Sequence, residues 1–150
     1  MRILVIHGPN LNLLGRREIE IYGAVTLTEI DRRLRQRAAA LDVALAIFQS
    51  NHEGAIVDRI QAGVLDPPPV DGILINPAAY THTSIAIRDA IAGVEIPTWE
   101  IHLSDPAVRE DFRRRSFVRD VCVGYTAGHG ADGYLEAVTA LVTHLRGPEA

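Results

Sequence analysis

The chain has 150 residues, 47% of them hydrophobic, which is enough for one domain with its own core. Its formal net charge of −4 argues against a nucleic-acid partner, and no apolar run approaches the length of a membrane span. Every basic residue other than histidine is arginine, so a lysine Schiff base, lysine-held pyridoxal phosphate and a Walker A phosphate loop are all excluded. The N-terminal segment lacks the zones of a signal peptide, and the single cysteine, Cys122, lies in an apolar stretch that suits core packing. The cytoplasm is the expected location.

The first element, Arg2–Ile6, is apolar and β-branched and predicts a buried strand. The connection that follows, HGPNLNLLGRREIEIYG from His7 to Gly23, is far longer than most strand-to-helix links. Leu11, Leu13, Leu14 and Ile21 argue that it is ordered, and ordered long loops are usually functional. Thr26 and Glu29 stand at capping-box spacing and open a helix whose apolar face is Leu27, Ile30, Leu34, Ala38 and Leu41. Strand two is Ala44–Gln49. Ser50 and Glu53 repeat the capping-box spacing and predict a second helix ending near Gly63, with DPPPVD as a stiff link onward. Strand three is Gly72–Ile75, and a helix is expected over 83–92 with Thr81 and Thr83 as candidate caps. Strand four is Thr98–His102. SDPAVREDF then predicts a helix with Pro106 in its first turn. Strand five is expected at Asp120–Val123, and Leu135, Val138, Leu141, Val142 and Leu145 mark the last helix before a frayed tail.

Strands alternating with helices predict an α/β fold in one domain, a flavodoxin-like three-layer sandwich around a five-stranded parallel sheet. Ligands of such sheets bind beyond the carboxyl ends of the strands. Three segments meet that criterion: the opening loop, NPAAYTHTS after strand three, and HLSDP after strand four. Glu100 and His102 are two apart on a strand and share a face. A carboxylate beside an imidazole fixes its tautomer and favours its protonated form, as a general acid requires; the same pair can be purely structural. Beyond them, Leu103 and Ser104 lead into the predicted helix, whose free N–H groups would seat a carboxylate. Asn76 ends strand three at the same rim. His82 lies near a helix start, as a cap, a solvated residue or a ligand contact. In the opening loop a tyrosine is a poor base unless its phenolate is stabilised; Arg16 and Arg17 are candidates to do that for Tyr22. Together these fragments suit elimination of water beside a carbonyl.

The blocks GPNLNLLGRRE…YG, QSNHEG, INPAAYTHTSIAIRDAI, EIHLSDPAVREDFRRRS and GYLEAV, in this order and spacing, resemble the type II 3-dehydroquinate dehydratases over nearly the whole chain. The resemblance implies Tyr22 as the base, Arg17 as its activator, and Asn10 as holder of a water that supports the enolate. It implies His102 as the acid, supported by Glu100. Asn76, His82, Arg113 and the backbone of Leu103 and Ser104 would bind the substrate 3-dehydroquinate, and Asp89 would reach in from a neighbouring subunit. It further implies a homododecamer of four trimers that needs no cofactor and no metal. Three positions depart from the pattern: Ile19 in place of a frequent proline, Asp105 in place of asparagine, and His129 in place of an apolar residue.

Other readings are weaker. GHGADG, Gly128–Gly133, matches a dinucleotide fingerprint, but no further strand follows to complete a βαβ unit. The histidines are scattered without a metal-binding motif. The arginine-rich segments, Arg113 apart, read as solvated faces and subunit salt bridges. A non-catalytic sensor of a cyclic hydroxy acid would use the same pocket, but would not require a matched acid and base.

Overall fold

The computed structural model describes residues 1–149. Five strands, β1 (Arg2–His7), β2 (Ala44–Gln49), β3 (Gly72–Asn76), β4 (Thr98–His102) and β5 (Gly124–Ala127), form one sheet in the order β2-β1-β3-β4-β5. All pairings are parallel. This is the flavodoxin-like order, and it reverses between β1 and β3, where a crevice opens beyond the strand ends. The helices are a single turn α1 (Ile19–Tyr22), then α2 (Leu27–Ala40), α3 (Glu53–Leu65), α4 (Ile85–Val94) and α5 (Asp132–Arg146).

Alternation along the strands sorts side chains into two apolar cores. Ile3, Val5, Leu74 and Ile101 face α2 and α5. Leu4, Ile6, Ile73 and Ile75 face α3 and α4. The pattern continues to the strand ends, where polar residues replace apolar ones. His7 and Asn76 continue the α2/α5 face, whereas Glu100 and His102 lie on the opposite face of β4.

The expected cap on α2 is present: the Glu29 N–H donates to Thr26 Oγ1 at 3.2 Å. The other caps differ. Ser50 Oγ accepts from the His52 N–H at 3.0 Å, one residue short of the Glu53 pairing, and α3 begins after His52. Neither Thr81 nor Thr83 caps α4; Ser84 does, accepting from the Ile87 N–H at 2.9 Å. Thr81 is drawn instead to a buried carboxylate, described below.

Strand five lies four residues beyond its expected start. Asp120 and Val121 sit in a 3₁₀ turn, and Val121 and Cys122 pack against the α3/α4 core. The strand itself is GYTA, paired with β4 from Trp99↔Gly124 to His102↔Ala127. Glycine is required there because a Cβ would lie 2.2 Å from the Trp99 ring. Apolar content alone pointed to the wrong segment; the fit under the indole selects the right one.

Candidate active site

One side of the crevice, carrying the expected acid, is built on β4. Glu100 is fully buried, and a buried carboxylate is tolerated only when hydrogen-bonded. Thr81 Oγ1 donates to it, Ser116 Oγ lies 3.1 Å from each carboxylate oxygen, and His102 Nε2 donates to Oε1 at 2.6 Å. Ser116 is fixed in turn by the N–H groups of Val118 and Arg119 at 3.2 and 3.0 Å. His102 therefore presents one edge to Glu100 and keeps Nδ1 without a partner among the described residues. The Tyr125 ring packs 5.9 Å from the imidazole, and burial, reinforced by the Glu100 charge, pushes its phenol up to about 12.

The other side, carrying the expected base, is built on the opening loop. Tyr22 ends the single turn α1, half-buried. Arg17 Nη2 reaches its hydroxyl at 3.4 Å and Arg109 Nη1 at 3.0 Å. Both guanidiniums also lie near the ring, 4.7 and 5.3 Å from its centroid. Arg16 is exposed and is not a partner of Tyr22, so of the two loop candidates the geometry selects Arg17. Arg109 was not singled out in the sequence. Its only signal was position: an arginine four residues before Arg113, in a segment leaving a strand end at the rim.

These two sides share a cleft of about 140 Å³ lined by Asn10, Arg17, Tyr22, Asn76, His82, His102, Leu103, Ser104, Arg109 and Arg113. The loop reaches it because β1 and β3 end in close contact: the Gly8 N–H donates to the Asn76 carbonyl at 2.8 Å, and a Cβ on Gly8 would lie 2.6 Å from the Pro77 carbonyl oxygen. Asn10 then takes a left-handed turn, φ 68°, into the loop. His82 Nδ1 donates to the Arg115 carbonyl at 2.7 Å, and burial, aided by the charges of His102 and Arg113, lowers its pKa below the usual imidazole value. Arg113 is oriented by Glu110, with Nε 2.8 Å from Oε2.

Two expectations change. No long helix follows β4; Pro106–Val108 and Asp111–Arg113 are isolated 3₁₀ turns, separated by Arg109 in extended backbone. That extension carries the Arg109 side chain to Tyr22, and only a single 3₁₀ turn begins beyond Leu103 and Ser104. Asp105, one of the departures from the family pattern, uses its carboxylate to accept the Ala107 N–H at 3.0 Å and is not in the cleft lining. Asp89 also stands outside the cleft, exposed on α4.

The glycine-rich turn before α5 spends its amides internally: Gly130 donates to the Leu103 carbonyl at 3.0 Å, and Gly133 donates to the carbonyls of His129 and Gly130. Among the described residues no strand follows β5, so the dinucleotide unit is incomplete. Among the described residues, no three His, Cys, Asp or Glu side chains converge as a metal-ligand set, and no helix is long and apolar enough to cross a membrane.

A carboxylate-backed imidazole and a phenol between two guanidiniums, in one cleft beyond the strand ends of a parallel sheet, are the architecture of an α/β enzyme. A family model described as "Dehydroquinase class II" matches residues 1–142, and the chain belongs to that family, whose members are hydro-lyases. The chain is 57% identical to "3-dehydroquinate dehydratase 1" of Ralstonia nicotianae over 145 residues, 97% of this chain and 92% of that one. It is 56% identical to "3-dehydroquinate dehydratase" of Bordetella avium, over 95% of this chain and 97% of the other. The crystal structure of the type II dehydroquinase from Butyrivibrio crossotus superposes with a TM-score of 0.90 at 45% identity, covering 95% of this chain and 98% of that one.

Proposed function

We propose that this chain dehydrates 3-dehydroquinate to 3-dehydroshikimate in the shikimate pathway, by base-catalysed anti elimination through an enolate and without a Schiff base. The observation that carries the reading is the Tyr22 oxygen, 3.0 Å from Arg109 and 3.4 Å from Arg17, in the same cleft as the Glu100-backed His102. As phenolate, Tyr22 removes the proton from the carbon beside the ketone, and the C–H electrons move into an enolate. A water held by Asn10 donates to the enolate oxygen. The enolate collapses to the carbon–carbon double bond, the C–O bond breaks, and His102 protonates the departing hydroxyl, which leaves as water. Asn76, His82, Arg113, Ser104 and the Leu103 backbone bind the hydroxyls and carboxylate. Every proton is handled by a side chain, so no cofactor or metal is required.

The protein acts as a single catalytic domain in the cytoplasm. It assembles as a dodecamer of four trimers, which brings Asp89 of a neighbouring subunit to the cleft. The exposure of Asp89 outside its own chain's cleft supports that arrangement.

The test is to mix metal-free protein with 3-dehydroquinate and follow the ultraviolet absorbance of the conjugated product. A rise is expected, and Tyr22→Phe should lower kcat by roughly 10²–10⁴-fold while folding and binding ligand normally. Binding without turnover by the wild-type protein would replace the enzyme reading with the sensor reading.

A further inference from the structure

On the opposite face of the sheet from Glu100, a second polar chain reaches the same cleft. Its members come from four elements: Asp31 on α2, His7 at the end of β1, Tyr134 on α5 and Asn76 at the end of β3. His7 and Tyr134 are both fully buried. His7 Nε2 lies 2.8 Å from Asp31 Oδ1, His7 Nδ1 lies 3.2 Å from the Tyr134 hydroxyl, and Asn76 Nδ2 lies 2.9 Å from the same hydroxyl. None of His7, Tyr134 or Asp31 lines the cleft; Asn76 does.

Donor and acceptor rules leave one arrangement. The Asn76 oxygen accepts the Ala78 N–H at 3.0 Å, so its nitrogen is the atom facing Tyr134. An amide nitrogen only donates, hence the Tyr134 oxygen accepts. The phenol proton must then go to His7 Nδ1, which has to be bare. The imidazole proton sits on Nε2 and is donated to the Asp31 carboxylate. Every donor meets an acceptor, in one direction, from the cleft to the edge of α2. With the proton on Nδ1 instead, the Tyr134 oxygen would accept both N–H groups, its own proton would have no acceptor, and a bare Nε2 would face the Asp31 carboxylate. Burial also pushes the Tyr134 phenol well above its ordinary range, so it remains a proton donor to His7.

We propose that Asp31, His7 and Tyr134 are positioning residues for the dehydratase reaction: they lock the Asn76 amide so that its second N–H is held toward the cleft for a substrate oxygen. The inference rests on the proposed activity and on Asn76 as a binding residue. Removing the Tyr134 hydroxyl leaves a buried N–H without an acceptor, and Asn76 turns to find one. Removing the His7 acceptor frees the phenol proton to point at Asn76, donor against donor. The consequence falls on substrate binding rather than on proton abstraction.

The experiment combines kinetics with nitrogen NMR. Tyr134→Phe is expected to raise KM about tenfold or more, with kcat changed less. The same substitution in an Asn76→Ala background should change KM no further, because the group it positions is gone. His7→Leu should raise KM similarly, and His7→Asn, whose Oδ1 replaces the Nδ1 acceptor, should restore it to within a few-fold. Additive effects with Asn76→Ala, an unchanged KM in Tyr134→Phe, or no difference between His7→Leu and His7→Asn would overturn the proposal. Nitrogen-15 shifts of His7 in the wild-type protein should report a proton on Nε2 alone; a proton on Nδ1 would overturn it without any variant having to fold. Wild-type turnover, measured alongside, tests the assigned reaction separately.

Discussion

The His102 and Tyr22 sides of the cleft are constructed differently. His102 and Glu100 lie on one strand, are buried at 6% and 0% exposure, and are bonded to each other, with Glu100 tied in turn to Thr81 and Ser116. Tyr22 sits at the tip of a single helical turn, half-buried, and its two cations arrive on separate loops, 5 and 87 residues away in sequence. The proposed acid is prepared by the fold, whereas the proposed base is assembled by loops meeting over the crevice. A proton donor whose charged form must be held in a buried site needs fixed partners. A base that must meet a substrate carbon gains from a loop that can close over it and exclude water.

The sharpest way to break this contrast is at the acid. His102→Ala should lower kcat by roughly 10²–10⁴-fold and leave the fold intact; a change of less than about tenfold would remove it as the acid. On the base side, Arg109→Met should lower kcat by roughly 10- to 100-fold, equivalent to losing ~1.5–3 kcal/mol from a hydrogen bond to a charged group. Arg17→Met is the matched control. If only Arg17→Met affects turnover, Tyr22 relies on its own loop and the cross-loop contact is structural.

Stability should show the reverse asymmetry. Ser116→Ala removes a donor from a carboxylate with no solvent exposure and should cost ~1–3 kcal/mol by urea denaturation, whereas Arg109→Met should cost less than ~1 kcal/mol. Equal losses would mean that the rim is as tightly built as the floor. The smallest effect concerns His82. Its pKa is lowered from 6.5 in the folded chain, so below that pH the unfolded chain binds the proton more tightly. This contribution to stability is complete above pH 6.5 and is lost as pH falls through the lowered value. Thermal melts across that window should flatten in His82→Gln.

The same contrast explains what the sequence could reveal. Glu100 and His102 were legible because a strand has period two, and two residues apart means one face. The parallel sheet followed from the alternation of strands and helices. Thr81 was misread as a cap because sequence spacing cannot show that a buried carboxylate competes for its hydroxyl. Arg109 was invisible for a related reason: the segment after β4 reads as a helix, and only its break into two 3₁₀ turns carries that side chain to Tyr22. Strand five was displaced because DVCV has strand-like composition, while GYTA is chosen by space beneath Trp99. Local periodicity and capping rules reach a few residues along the chain. Contacts between distant loops lie outside their range.

The fit of Trp99 over Gly124 has an optical consequence. Trp99 is the only tryptophan, its Nε1 donates to Thr126 at 3.0 Å, and it is the immediate neighbour of Glu100. Its emission therefore reports docking of the edge strand beside the acid, without any attached dye. Rapid-mixing fluorescence would time the arrival of that strand during refolding. Recovery of turnover in the same samples would time completion of the whole site, so one native indole separates docking of the edge strand from the steps that follow it.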